Sequence, residues 1–300
     1  MKARLKLNFK EEIVMNSYLM VILSDMLMAV NFALSNKYQK IAGVGMRAGL
    51  LFNAMTGLFT AIVFLAICKF QITFSLFSVV MAGGMSILVF IYTMIGFHIL
   101  KNGNMSFYTL FLMSGGMIIP YIWGILFLNE EMNIFRFIGV CVILLSMIIS
   151  NGGEKKKNNI LTCVAVFFLN GFVSVISKLH QVNTVFESVN ASEFVFLSSI
   201  IKFIVCLLAL VLIGKEKNTS SINNLKLMLI FIFSAVVSGI SYLLQLIGAT
   251  SLPATVLYPL VTGGTIILSS FAGMIAFNER PTKRQWIGVG MCFVGTCLFI

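Results

Sequence analysis

The chain has 300 residues, of which 59% are hydrophobic and 10% are charged; its net charge is +11 and its mean hydropathy is +1.01. Soluble domains carry roughly 25% charged residues, so this composition excludes a soluble surface and predicts apolar side chains that face lipid. The basic residues lie mostly between apolar runs and form no stripe interleaved with aromatic residues, which argues against nucleic-acid binding.

The apolar runs predict an all-α membrane protein with ten transmembrane helices. Each run is continuously apolar, whereas the strands of a membrane barrel are shorter and alternate. The basic N-terminus precedes a run long enough to span and has no signal-peptide cleavage site, so it predicts a retained first helix. The predicted spans are Val14–Asn36, Val44–Cys68, Leu76–Leu100, Ser106–Leu128, Ile134–Ser150, Ile160–Leu179, Glu193–Ile213, Leu225–Gly248, Ala254–Phe277 and Gln285 to the end of the sequence.

A polar linker, residues 151–159, separates five helices from five, and the two halves repeat each other. Residues 1–150 form the first predicted repeat and residues 160–300 the second. Three matching pairs of segments occur in the same order: Leu112-Met-Ser-Gly-Gly116 with Leu260-Val-Thr-Gly-Gly264, Asn129-Glu130 with Asn278-Glu279, and Ile138-Gly-Val140 with Ile287-Gly-Val289. With five helices in each repeat, the second must enter the membrane from the opposite side. The halves are then inverted, an arrangement found in secondary transporters with a substrate site near the midplane.

The ends of the two repeats resemble the EamA-type repeat of the drug/metabolite transporter superfamily. The matching segments are Tyr258-Pro-Leu-Val-Thr-Gly-Gly264, Phe277-Asn-Glu-Arg280 and Gln285-Trp-Ile-Gly-Val-Gly290, with Phe127-Leu-Asn-Glu-Glu131 in the first half. Asn31-Phe-Ala-Leu-Ser-Asn-Lys37 resembles the end of the family's first helix, and the segment from Asn170 to Lys178 is its counterpart. The resemblance implies a ten-helix transporter that exports, takes up or exchanges a metabolite. Ala29 stands where the related small multidrug-resistance proteins carry a glutamate, and Asp25 lies one turn earlier.

Two ionisable side chains are predicted to lie within the membrane, where such groups are costly and mark functional sites. Asp25 is near the middle of the first helix and could bind a cationic group or carry a coupling proton. Lys202 is near the middle of the seventh helix and could hold a substrate carboxylate. The alternative is that the two neutralise each other, or that each extends towards the membrane surface.

Further polar and amphipathic residues could line a cavity with these two. Asn31 and Asn170 occupy similar places in the two halves, and we expect the third and eighth helices to present their polar residues to each other. The alternative for each is interhelical hydrogen bonding or anchoring at the membrane surface. The predicted substrate-binding residues besides Asp25 and Lys202 are Asn31, Tyr92, Thr93, Trp123, Asn170, Tyr242, Gln245 and Tyr258.

Other candidates are read as structural. Glu130 and Glu279 could meet backbone N–H groups at the start of the helix that follows, where negative charge is favoured. His98 and His180 lie near helix ends and are read as bystanders. The six cysteines lie in or at the ends of apolar runs without a C-x-x-C pair, so we expect neither disulfides nor a metal site.

These features predict a secondary transporter that moves a small metabolite or drug-like organic molecule by alternating access, with export as the expected direction. The alternative is an accessory or assembly subunit of a membrane complex that transports nothing itself. The sequence has no catalytic metal motif, no ion-selectivity filter and no phosphate-binding loop, so we expect no enzyme, no channel and no cofactor. The expected coupling partner is a proton or a counter-substrate.

The expected location is the cell membrane, as a monomer or homodimer. The positive-inside rule alone favours an outside N-terminus. The family resemblance and the basic N-terminal tail favour an inside N-terminus, which is the orientation expected here.

Overall fold

The computed structural model describes residues 2–43, 45–102, 105–151, 160–213, 225–277 and 281–299, with side chains from residue 15 onward except at 97–107, 151 and 276–277. These residues form ten α-helices and no strand. The helices are α1 (Lys2–Ala42), α2 (Met46–Ile67), α3 (Leu76–Asn102), α4 (Met105–Phe127), α5 (Ile134–Asn151), α6 (Ile160–Val182), α7 (Ala191–Ile213), α8 (Leu225–Ser251), α9 (Ala254–Phe277) and α10 (Lys283–Cys297).

Hydrophobic side chains cover the outside of this bundle, and many polar ones lie within it. Leu76, Leu212 and Ile275 are each more than 80% exposed, whereas Ser24, Ser78 and Ser234 are fully buried. A water-soluble protein could not expose so many large apolar side chains without aggregating. The distribution fits a bundle whose surroundings are lipid and whose polar groups must find partners inside the protein.

Eight helices are long and apolar enough to cross a membrane: α1 from Met15 onward, α2, α3, α4, α6, α7, α8 and α9. The chain is therefore a multi-pass membrane protein, and within the described residues eight of the ten predicted spans meet this criterion. The apolar part of α5 is Ile134–Ser150, and α10 has 15 residues. Such lengths fall short of the roughly 20 residues that a hydrocarbon core requires. These two helices pack along each other.

The helices pack in a pattern that repeats between the two halves. Each helix of the first half can be exchanged for its equivalent in the second, α1 for α6, α2 for α7, and so on. The contact between α1 and α8 then becomes the contact between α6 and α3, and the contact between α1 and α9 becomes that between α6 and α4. The contact between α2 and α8 becomes that between α7 and α3. Equivalent helices also contact each other directly, in the pairs α2 with α7, α4 with α9, and α5 with α10. Several smaller contacts depart from this pattern in the described parts of the helices. The largest is α6 against α8, which has no comparable α1–α3 contact, and the contacts α7–α8, α5–α9 and α1–α2 also lack comparable counterparts.

Close approach at glycines fixes the α4–α6 pair. A Cβ atom on Gly115 of α4 would lie 2.1 Å from the backbone oxygen of Phe167 in α6, so the two backbones nearly touch. Gly171 of α6 packs in turn against Ile119 of α4. Small residues allow this kind of approach between membrane helices, which lack a hydrophobic driving force for association.

Candidate functional site: a cavity open at one face of the bundle

A cavity of about 660 Å³ lies among α1, α4, α5, α9 and α10. It reaches the surface at Asn36 and Trp286, both exposed, where α1, α5 and α9 end and where α4 and α10 begin. We call this end of the bundle the open face. The described lining residues are all uncharged, and they include Asn36, Thr109, Ser150, Ser269, Ser270, Gln285, Phe32, Phe271 and Trp286.

Asp25 lies one helical turn deeper along α1 than Ala29, which lines the cavity. Its side chain is 2% exposed, and its Oδ1 accepts a hydrogen bond from the Thr265 hydroxyl of α9 at 3.3 Å. A Cβ atom on Gly264 would lie 2.1 Å from Oδ2, so a larger residue there would require the carboxyl group to move. Asp25 also lines a second, largely apolar cavity of about 190 Å³ between α1, α9 and α10.

Lys202 lies elsewhere in the bundle, among α2, α3 and α7. Its alkyl chain crosses Gly57 of α2, with Cε 3.2 Å from where a Cβ would be. It lines a cavity of about 10 Å³ together with Asn53, Ser86 and Thr93, which is room for about one water molecule. Asp25 packs on α9 and Lys202 on α2 and α3, so within the described residues the two predicted charges do not neutralise each other.

Three predicted site residues of the second half make bonds between helices. Tyr242 of α8 shares a hydrogen bond of 2.9 Å with Ser177 of α6 and donates to Met85 Sδ of α3 at 3.3 Å. The Tyr258 hydroxyl donates to the Ser174 carbonyl at 2.5 Å, and Asn170 Nδ2 donates to the Leu112 carbonyl at 2.7 Å. In this conformation, these three side chains therefore form hydrogen bonds between helices.

Three other predicted residues bury a polar atom that has no hydrogen-bond partner among the described residues: Asn31 Oδ1, Trp123 Nε1 and Gln245 Nε2. Such atoms are rare in native interiors. The third and eighth helices meet at Met85 and Tyr242, two turns before Tyr92 and Thr93. Tyr92 packs instead beside Tyr108 and Val166, and Thr93 lies beside Lys202.

The opposite end of the bundle, where α6 and α8 end and α7 and α9 begin, is closed by polar contacts between the two halves; we call it the closed face. Glu193 accepts hydrogen bonds from Thr73 N and Oγ1, at 3.2 and 2.8 Å. Ser75 donates to the Glu187 carbonyl, and Ser78 shares a bond of 2.8 Å with His180 Nε2. His180 is 2% exposed and stacks on Phe194, so it is part of the closure rather than a bystander.

Glu130 also belongs to the closed face. The sequence predicts that it meets the helix that follows it, which is α5, but the structure shows that this is wrong. Its two carboxylate oxygens accept hydrogen bonds from Ala254 N at 2.7 Å and Thr255 N at 2.8 Å, at the start of α9 in the other half. Glu279, its counterpart, and the side chain of His98 lie outside the described residues.

Lys178 is the residue that sequence reasoning missed. It is 5% exposed, and its Nζ donates to the carbonyls of Ala249 and Leu252, each at 2.6 Å. The sequence shows a lysine near the end of α6, which is an ordinary place for a side chain that extends to the membrane surface. Its burial depends on which helix end packs over it, and no local pattern reveals that.

Comparisons with known proteins agree with this architecture. No curated protein matches the sequence significantly. Among 28 similar chains of solved structures, one crystal structure superposes with a TM-score of 0.74 over 94% of this chain and 96% of its own, at 14% identity. At that identity the likeness concerns the fold alone. A profile of the EamA-like transporter family matches residues 157–300. The second half of this chain is thus similar to the EamA-like transporter family.

Proposed function

We propose that this chain is a secondary transporter that moves a small organic molecule across the cell membrane by alternating access, in the direction of export. The observation that carries the proposal is the cavity at the open face, set against a closed face that hydrogen bonds between the two halves hold together. A path that is accessible from one side and blocked at the other is the arrangement that alternating access requires.

The proposed mechanism uses two inverted repeats, residues 1–150 and 160–300, with α5 and α10 completing ten spans. The paired helix contacts support this arrangement, since exchanging the halves reproduces most of them. The largest exception, α6 on α8 without a comparable α1–α3 contact, is a difference of the kind expected when one face is closed and the other open. Interconverting the two conformations would expose the cavity to the opposite side.

The cavity lining favours an uncharged or net-neutral substrate. Amide and hydroxyl groups of Asn36, Ser269 and Gln285 can exchange hydrogen bonds with a polar molecule, while Phe271 and Trp286 can cover an apolar or aromatic part. A lone cation or anion would enter without a partner of opposite charge among the described lining residues, which is costly away from water. Asn31, Trp123 and Gln245 are proposed to contact substrate in the course of transport through their unpartnered atoms.

Asp25 is proposed to carry the coupling proton. It is one turn deeper than the cavity, and in the described residues its only hydrogen-bond donor is Thr265. A carboxyl group in such an environment changes its interaction with α9 when it gains or loses a proton. Since α1 and α9 belong to different halves, that change can bias the conformation.

The test compares metabolites inside and outside cells that express the wild type, the Asp25→Asn variant or an empty vector. We expect one class of small neutral metabolites to move outward with the wild type, and the shift to shrink with the variant. An equal shift with both proteins would remove Asp25 from the mechanism. No shift, despite verified membrane insertion, would favour the accessory-subunit alternative.

A further inference from the structure

The corner between α8 and α9 is held from both sides by opposite charges. Lys178, near the end of α6, donates from Nζ to the carbonyls of Ala249 and Leu252. These carbonyls lie at the C-terminal end of α8, where backbone oxygens lack helical partners and carry partial negative charge. A buried ammonium is therefore stabilised there.

On the other side of the corner, Glu130 follows α4 and binds the first two N–H groups of α9, at Ala254 and Thr255. Free N–H groups and the helix dipole make that end a favourable place for a carboxylate. Glu130 belongs to the first half, and α8 and α9 belong to the second. The corner cannot move away from α4 or from α6 without breaking charge-assisted hydrogen bonds.

The first half has a lysine at the equivalent place, but its surroundings differ. Lys37 corresponds to Lys178 in the repeat, and it is exposed at the open face beside the cavity residue Asn36. The two equivalent lysines thus have different surroundings. Lys178 is buried against helix-end carbonyls at the closed face, and Lys37 is exposed at the open face. That difference follows if each lysine caps a helix end only while its own face is closed.

We propose that Lys178 and Glu130 keep the closed face shut by holding the α8–α9 corner, and that Lys37 takes the equivalent place at the end of α3 when the open face closes. This inference rests on the proposed transport function. It assigns the two lysines to the positioning of the gates rather than to the substrate.

The test measures how fast a cysteine behind the corner reacts with a water-soluble maleimide. Thr255→Cys serves as the reporter, in a full-length background whose six native cysteines are replaced. Thr255 is 1% exposed, and its hydroxyl makes no hydrogen bond to the part of the chain that the structure describes, so the change is small. A second reporter, Ser270→Cys, reports on the open-face cavity.

We expect Lys178→Met to raise the labelling rate of Thr255→Cys by about tenfold or more and to lower that of Ser270→Cys, because the loss of one charged hydrogen bond already shifts an equilibrium by about that factor. Glu130→Gln should act in the same direction. Lys178→Arg keeps the charge and the donors and should leave the reporter slow. The matched controls are the exposed residues of the same face, Lys69→Met and Glu131→Gln, which should change neither rate.

Lys37→Met should leave both rates unchanged in the resting protein. In the Lys178→Met background, however, it should restore fast labelling of Ser270→Cys, because the open face could then no longer be held closed. The proposal is overturned if Lys178→Met labels like Lys69→Met, or if Lys178→Arg labels as fast as Lys178→Met. Labelling needs no substrate, so the proposal can hold where no transport is found, and it can fail where transport is confirmed.

Discussion

Replacing Gly115 by alanine should destabilise the protein, although alanine is the better helix former. The added Cβ would lie 2.1 Å from the Phe167 carbonyl oxygen, more than 1 Å inside the 3.4 Å at which ordinary contact begins. The clash is with backbone, so no side-chain rotation relieves it, and α4 must move away from α6. Forcing extra volume into a packed interior costs about 1–3 kcal/mol.

Gly83→Ala in α3 is the matched control, because no described atom lies within 4 Å of its added Cβ. At Gly83 only the intrinsic helix preference changes the free energy of unfolding, and it favours alanine by roughly 0.5–1 kcal/mol. The helix preference is the same for both variants, so their free energies of unfolding should differ by the steric cost alone, about 1–3 kcal/mol. At about 2 °C per kcal/mol for a chain of this size, their apparent Tm values should differ by ~2–6 °C.

The assay is thermal unfolding of both variants in the same detergent at one heating rate, followed by circular dichroism. A fixed rate matters because unfolding of membrane proteins is commonly irreversible, and the midpoint then depends on the rate. Equal midpoints for Gly115→Ala and Gly83→Ala would refute the close α4–α6 approach, and with it the helix packing from which the two faces are defined.

Three further substitutions test separate contacts by the same measurement. Glu130→Gln should lower the free energy of unfolding by about 1.5–3 kcal/mol, because the first N–H groups of α9 lose a charged acceptor. The neighbouring Glu131→Gln should stay within about 0.5 kcal/mol of the wild type, and equal effects of the two variants would contradict the contact. Thr282→Ala should cost ~1 kcal/mol, because Thr282 and Gln285 form a reciprocal cap at the start of α10; an unchanged midpoint would count against that cap. Lys202→Met should raise stability by on the order of 1 kcal/mol, since Lys202 is an ammonium group in the membrane without a carboxylate among its described neighbours; a marked loss would mean that Lys202 has an essential partner.

The sequence predicts the helices well, because apolar runs and their polar breaks set where a chain can leave the membrane. The predicted eighth span begins at Leu225 and the seventh ends at Ile213, as in the structure, and the ninth agrees at both ends. The first helix continues to Ala42, past Lys37 and Lys40, because a helix can extend beyond the membrane with a polar sequence. The predicted tenth span begins at Gln285, two residues after the start of α10 at Lys283.

The candidate site was harder to predict because it depends on which helix ends meet. Asp25 and Lys202 are conspicuous in the sequence as isolated charges, yet neither faces the other and neither lines the cavity at the open face. Lys178 and Glu130 look like ordinary charges at helix ends, and only the tertiary arrangement shows that they hold the same corner. Local periodicity carries no information on such long-range partners.

The most direct test of alternating access is to prevent the closed face from opening and to measure transport. Ser75 donates to the Glu187 carbonyl across the two halves, at an exposed position that reagents can reach. A variant with Ser75→Cys and Glu187→Cys is joined by a short bis-thiosulfonate in membrane vesicles, in a background without other cysteines. Each single-cysteine variant, treated in the same way, is the control.

If the protein works by alternating access, the cross-linked double variant stops moving the metabolite identified in cells, both controls remain active, and a reducing agent restores transport. Transport that continues at the control rate with the cross-link in place would contradict the account, because the closed face would then not need to open.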